Sequence, residues 1–153
     1  MRLCAIASGS SGNCVYVGHG GTHLLVDAGI SGKRIEQALD SIGTAAGDLK
    51  GILITHEHSD HIQGIGVMAR KYGIPIYATR GTIQEILQKK TLGDIDVSLF
   101  ESIQADSPFM IKDMDFGDYF SNLLKSPSDN NSQFMNFAKK QASNAYDVLL
   151  PKR

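Results

Sequence analysis

Gly51-Ile52-Leu53-Ile54-Thr55-His56-Glu57-His58-Ser59-Asp60-His61 is the stretch on which the reading of this chain turns. Its first part is a compact apolar run suited to a buried strand. Its second part holds three of the chain's five histidines, with two acids among them. Residues two apart in extended chain project to the same side, so His56 and His58 can reach one ion. Asp60 and His61 fall where the chain turns into a helix, which can point them toward a neighbouring ion, and Ser59 is placed to cap that helix. Two divalent ions about 3.5–4 Å apart are suited to attack on a phosphoryl or carbonyl centre. A lone histidine at a strand end is ordinarily a surface or core residue. Three with an aspartate, in the order H-x-H-x-D-H directly after a buried strand, make metal binding the expected chemistry.

Outward from this stretch, strands alternate with helices. Upstream, Leu3–Ala7, Cys14–Val17 and His23–Val26 read as strands, the last two joined across the glycine-rich turn 18–21. A helix begins near Ser31, places Ile35, Ala38, Leu39 and Ile42 on one face, and stops at Gly43. Downstream, Ile62–Tyr72 reads as a helix ending at Gly73, Pro75–Ala78 as a strand and Thr82–Lys90 as a helix. Val97–Phe116 alternates in the β manner. This pattern is that of an α/β chain. After Phe116 the character changes: Ser126–Ser132 is a polar, linker-like tract, and Phe134, Phe137, Ala138, Ala142, Ala145 and Leu149 keep the spacing of an amphipathic helix.

With 153 residues, 42% of them hydrophobic and 20% charged, the chain is long enough for one domain with a real core. A formal net charge of −1 gives no global electrostatic argument for nucleic acid or membrane, so any anion site must be local. The longest N-terminal apolar run is Leu3–Ala7, too short for a membrane span or a signal peptide, and a cytoplasmic protein is the expectation. Cys4 and Cys14 stand in strand-like surroundings without a zinc spacing and are expected to be buried thiols. The loop Ser8-Gly-Ser-Ser-Gly-Asn13 has two readings on residues alone. Its free N–H groups could approach a phosphate, or its glycines could serve a tight turn. Arg34, Arg70 and Lys71 could meet a nucleic-acid backbone, but are expected to be solvated helix charges.

The H-x-H-x-D-H order after a strand resembles the signature of metallo-β-lactamase-fold hydrolases, and Leu24-Leu-Val-Asp-Ala-Gly29 resembles that fold's strand-end aspartate motif. The likeness extends further. Ala7–Cys14, Asp27–Arg34, Thr55–Gly66 and Arg70–Thr79 together are similar to the WalJ (YycJ) group, over residues 1–116. The resemblance implies an αββα sandwich and a bacterial cytoplasmic, DNA-directed exonuclease, linked to cell-wall signalling and DNA repair. It also implies two divalent ions (zinc, or manganese and iron) and a water as nucleophile. Carried over residue by residue, His56 and His58 hold the first ion and Asp60 and His61 the second, with Asp60 the catalytic carboxylate. Asp27 supports the site by hydrogen bonding. The Ser8–Asn13 loop lies close to the ions, with Ser8, Ser10 and Asn13 as candidates for substrate contact. DNA or another phosphodiester is the expected partner.

The family's site also takes a further histidine for each ion and a bridging aspartate, all downstream, and this chain has no histidine after His61. Residues 1–116 therefore read as the N-terminal half of the sandwich. Residues 117–153 read as a divergent tail, in which Asp118, Asp129 and Asp147 sit in no recognisable bridging motif. The chain is expected to be either a shortened product, the simpler reading, or a half-domain completed by another chain. Both predict exposed apolar sheet surface and self-association. Two other functions stay open: a non-catalytic interaction or structural module, and a thioesterase- or lactamase-type hydrolase on the same fold.

Overall fold

The computed structural model describes residues 2–104, 109–111, 114–116 and 147–149. Strands β1 (Arg2–Ala7), β2 (Cys14–His19) and β3 (Thr22–Val26) form an antiparallel meander. The β2–β3 turn pairs His19 with Thr22 around Gly20 (φ 56°) and Gly21 (φ 88°). Positive φ at both central residues matches the right-handed twist of a hairpin and favours glycine at each. Helix α1 (Gly32–Ser41) then carries the chain over to β4 (Leu49–Leu53), which pairs in parallel with β3. The short helix α2 (Ser59–Ile62), helix α3 (Ile65–Tyr72), strand β5 (Ile76–Thr79), helix α4 (Arg80–Leu87) and strand β6 (Phe100–Ile103) follow. Strands β7 (Phe109–Ile111) and β8 (Met114–Phe116) make a separate antiparallel pair, and β9 (Asp147–Leu149) joins the main sheet. Among the described residues that sheet has seven strands, in the order β6-β5-β4-β3-β2-β1-β9. The expected α/β class is found.

One row of paired residues organises the core. Cys4, Tyr16, Leu25, Ile52, Ile76 and Phe100 are successive partners across six neighbouring strands. All belong to, or pack against, the apolar cluster that takes in Ile35 and Leu39 of α1, Ile65 and Met68 of α3 and Ile86 of α4. Period-2 alternation on the strands and 3.6-residue spacing on the helices put these side chains on facing surfaces. Leu3, Val15, Val17, Leu24, Val26 and Leu53, from the alternate strand positions, are buried as well. The exposed apolar surface expected at the sheet is therefore not found over β2, β3 and β4. Val67, Leu87 and Val97 are the large apolar side chains exposed among the described residues.

Several expected boundaries move for identifiable reasons. Ser31 caps α1 as expected, its hydroxyl accepting from the Arg34 N–H. Strand β4 ends at Leu53 rather than Thr55, because Thr55 turns its N–H to the Asp27 carboxylate. Ser59 is the first residue of α2, with His58 at the N-cap and no side-chain cap bond. The helix expected over Ile62–Tyr72 starts at Ile65, since the Gly64 N–H is donated to the Ala28 carbonyl. Helix α4 begins at Arg80, where the Thr79 hydroxyl accepts from the Thr82 N–H. Leu149, expected in a helix, lies in β9, where the ladder with β1 pairs it with Cys4. The linker and the other positions of that expected helix lie outside the described residues.

Candidate metal centre

Asp27 directly follows β3, and His56–His61 follow β4, its parallel neighbour. Both groups therefore sit at the carboxyl ends of adjacent strands, where open α/β sheets place ligands. Asp27 is fully buried and adopts φ 61°, the one positive φ of a non-glycine residue among those described. That sparsely populated backbone region is held by the partners of its carboxylate. The Thr55 N–H donates to Oδ1 at 2.9 Å, and the Thr55 hydroxyl lies 2.8 Å from Oδ2. The ring Nδ1 of His61 lies 2.6 Å from Oδ2. An imidazole whose Nδ1–H is given to a carboxylate turns its Nε2 lone pair outward as an acceptor, the arrangement that orients ligand histidines, and here the Asn13 amide lies against that acceptor.

The facing loops are laced together by the backbone. The Ala28 N–H donates to the His61 carbonyl at 2.9 Å, and the Asn13 N–H to the Asp60 carbonyl at 2.8 Å. The closest approach is at Gly29, where a Cβ would stand within 1.7 Å of the Asp60 carbonyl oxygen. Asn13 is buried, and its amide nitrogen lies 3.2 Å from His61 Nε2 and 3.3 Å from Asp60 Oδ2. The same side chain clasps its own loop, accepting from the Gly9 N–H at 3.1 Å and donating to the Gly9 carbonyl at 2.9 Å. Asn13 thus braces the histidine loop from inside, while Ser8 and Ser10 are exposed.

The rings of His56 and His58 are 4.4 Å apart between centroids, and those of His56 and His61 3.9 Å. Glu57, between the first two, has its carboxylate 3.5 Å from the Thr82 hydroxyl, on the α4 side, as alternation requires. His61 Nε2 and Asp60 Oδ2 stand 3.7 Å apart. Two bonds of about 2.1 Å to one ion span that separation at an open angle, so this donor pair fits a divalent cation. Among the described residues, no three His, Cys, Asp or Glu side chains are gathered closely enough to enclose an ion as they stand. The donor chemistry (three imidazoles and a carboxylate in one loop, one imidazole oriented from behind by an aspartate) fits a metal centre.

The electrostatics divide the histidines. Burial lowers His61, but its hydrogen bond to Asp27 and the charges of Asp27 and Asp60 more than offset this, leaving it above its usual value. His56 is lowered, by burial first and then by the neighbouring His61. Among the basic residues singled out in the sequence, Lys71 pairs with Glu36 at 2.9 Å and Arg34 is exposed. Arg70 is not a merely solvated charge, since it donates to the Leu92 and Asp94 carbonyls at 2.7 and 2.9 Å. The role of Thr55 as a partner of Asp27 is not legible in the sequence, although the residue directly precedes His56.

A model of the metallo-beta-lactamase superfamily matches residues 7–107. Exodeoxyribonuclease WalJ of Streptococcus pneumoniae serotype 2 (strain D39) is 51% identical over 98 residues, covering 64% of this chain and 36% of that protein. Exodeoxyribonuclease YycJ of Bacillus anthracis is 43% identical over 117 residues, covering 65% of this chain and 44% of that protein. The chain therefore spans less than half the length of these relatives. Among solved structures, MEM-A1, a subclass B3 metallo-beta-lactamase from a soil metagenome library, aligns with a TM-score of 0.57 at 22% identity. That alignment covers 75% of this chain and 50% of MEM-A1, a likeness of fold.

Proposed function

The chain belongs to the metallo-beta-lactamase superfamily, and from that premise we propose that it is a metal-dependent phosphodiester hydrolase acting on DNA. The identity to proteins named exodeoxyribonucleases supports the choice of substrate. The observation that carries the reading is the buried Asp27 carboxylate on His61 Nδ1, with Asp60 Oδ2 3.7 Å from the Nε2 of the same ring. In this proposal His56 and His58 would hold a first divalent ion and Asp60 and His61 a second, with zinc, manganese and iron as the candidate metals. Such ions, when bound, supply Lewis-acid activation of water and neutralise charge on the phosphoryl group.

The chain's own residues do the rest. Asp27 fixes the tautomer and direction of His61, and Thr55 fixes Asp27. Asn13 holds the Asp60–His61 corner against the β1–β2 loop. Asp60 opens toward both His61 and the neighbouring cleft, so it is the carboxylate nearest the place a scissile bond would occupy. A cytoplasmic location accords with a DNA substrate, and no helix among the described residues is long and apolar enough to cross a membrane.

The decisive experiment is an exonuclease assay on linear DNA with Mn²⁺ or Zn²⁺, beside a His58→Ala variant and a chelator control. Hydrolysis is expected to fall at least a hundredfold in both controls, and elemental analysis to find a divalent ion in the loaded wild type. Activity that survives His58→Ala, or a loaded chain without metal, sinks the reading. Since no three His, Cys, Asp or Glu side chains among the described residues are gathered closely enough to enclose an ion as they stand, a binding module that has kept the fold without the reaction is the second reading. DNA binding without hydrolysis at any metal concentration would favour it.

A further inference from the structure

Beside the histidine loop opens a cleft of about 580 Å³, within the size range of ligand sites, and Asp60 forms part of its wall. Lys89, Lys90 and Thr91 line it as well, together with Ser10 and Gln63. Among the described residues Asp60 is the lone acid of the lining, against two lysines, and the other polar groups are neutral donors. Among the described residues neither lysine forms an ion pair, whereas Lys71 is paired with Glu36. If Asp60 is engaged by a cation, the positive charge of this wall is left uncompensated.

The lysine-bearing turn is held in place rather than adrift. Residues Lys90–Leu92 form a 3-10 turn whose Leu92 side chain is buried in the core. Arg70 of α3 donates from Nη1 to the Leu92 carbonyl at 2.7 Å and the Asp94 carbonyl at 2.9 Å. Glycines make this approach possible: a Cβ on Gly66 would stand 2.3 Å from the Leu92 carbonyl oxygen. Gly93, where the chain leaves the turn, has φ 71°. The guanidinium therefore acts as a strut that fixes where the two ammonium groups emerge.

We propose that this cleft seats the phosphodiester backbone of the substrate strand. Lys89 and Lys90 neutralise phosphates flanking the reacting bond, and Ser10, Gln63 and Thr91 donate to their oxygens. The inference rests on the hydrolase reading and adds to it the track along which the polymer lies. Adjacent lysines suit a chain of phosphates, since compact ammonium charges act as salt-sensitive point contacts without demanding a planar, bidentate partner.

The test is equilibrium binding of a short single-stranded oligonucleotide with hydrolysis-resistant phosphorothioate linkages to the metal-loaded chain, at fixed metal concentration, as a function of salt. Lys89→Ala/Lys90→Ala should weaken binding about tenfold at low salt and reduce the slope of log affinity against log salt by about 1.4, two contacts' worth. Lys89→Arg/Lys90→Arg should restore the slope, and thermal melting should show all variants folded. An unchanged slope in the double alanine variant overturns the inference and leaves the hydrolase reading to the His58→Ala comparison. A wild-type chain that binds no oligonucleotide also overturns it. Metal-dependent hydrolysis of the small diester bis(p-nitrophenyl) phosphate then says whether the hydrolase reading survives alone.

Discussion

The carboxylate of Asp27 lies 2.6 Å from Nδ1 of His61, and both side chains are buried at the carboxyl ends of neighbouring parallel strands. Asp27→Asn keeps the shape but removes the charge that orients the ring. Partners of this kind are worth about 10–100-fold in metal affinity. Calorimetric titration with Mn²⁺ or Zn²⁺ should find that loss, and wild-type affinity in the variant would show that the contact does not orient a ligand. Thr55→Val takes one donor from the same carboxylate and should cost about 1–3 kcal/mol in denaturant unfolding, the usual cost of a stranded buried group.

The pair also sets a pH dependence in the metal-free chain. His61 titrates above its ordinary value of 6.5, since the Asp27 bond and nearby acids outweigh the lowering by burial. A group raised in the folded state adds stability that is fully present below its unfolded value and is lost as pH rises through the folded one. His56, lowered by burial and by His61, acts in the opposite sense: its contribution is present above 6.5 and is lost as pH falls through its folded value. Asp27→Asn removes the support of His61 and, with it, the smaller upward pull of the same charge on His56, so both changes weigh on the acid side. Its destabilisation should be larger at about pH 5.5 than at about pH 8.5, and an equal loss of unfolding free energy at the two pH values would count against the pairing.

Two glycine substitutions should have opposite signs. Gly29→Ala places a methyl group 1.7 Å from the Asp60 carbonyl oxygen, which backbone cannot yield to locally. It should cost about 3 kcal/mol or more and loosen the loop that carries His56, His58, Asp60 and His61. Gly81, inside α4, has open space around its Cβ position. Gly81→Ala should stabilise by about 0.5–1 kcal/mol. Thermal melts of the pair check both, and a benign Gly29→Ala would contradict the close approach.

Cys4 and Cys14 are free and buried. Burial, with the charges of Asp27 and Cys4 adding to it, pushes the Cys14 thiol well up from its usual value. A thiol held protonated and shielded is a poor nucleophile. Ellman's reagent should therefore react with neither thiol in the native chain and with both in guanidinium, and rapid native labelling of Cys14 would argue against its burial.

What the sequence disclosed was the chemistry that local pattern controls. Ser31 could be read as a cap because an N-cap bond is made within four residues. The H-x-H alternation was legible because it needs only extended chain between His56 and His58. The roles of Thr55, Asn13 and Arg70 were not, since each is decided by a partner distant in the chain: Asp27, His61 and Leu92. Lys89 and Lys90 read as an ordinary helix end until packing set them beside Asp60. Leu149 fits helical spacing, but a ladder partner in β1 takes precedence over periodicity.

The parallel pairing of β3 with β4 also orders events in time. The β1–β2–β3 meander joins sequence neighbours, whereas Val26 meets Leu53 only after the whole crossover through α1 has closed. Closing such non-local contacts is the slow part of assembling a chain. Asp27 and His61 do not face each other before that moment, so a tightly captured ion during refolding would be a clock for crossover closure. A newly made chain would gain its ion only after its strands are in order.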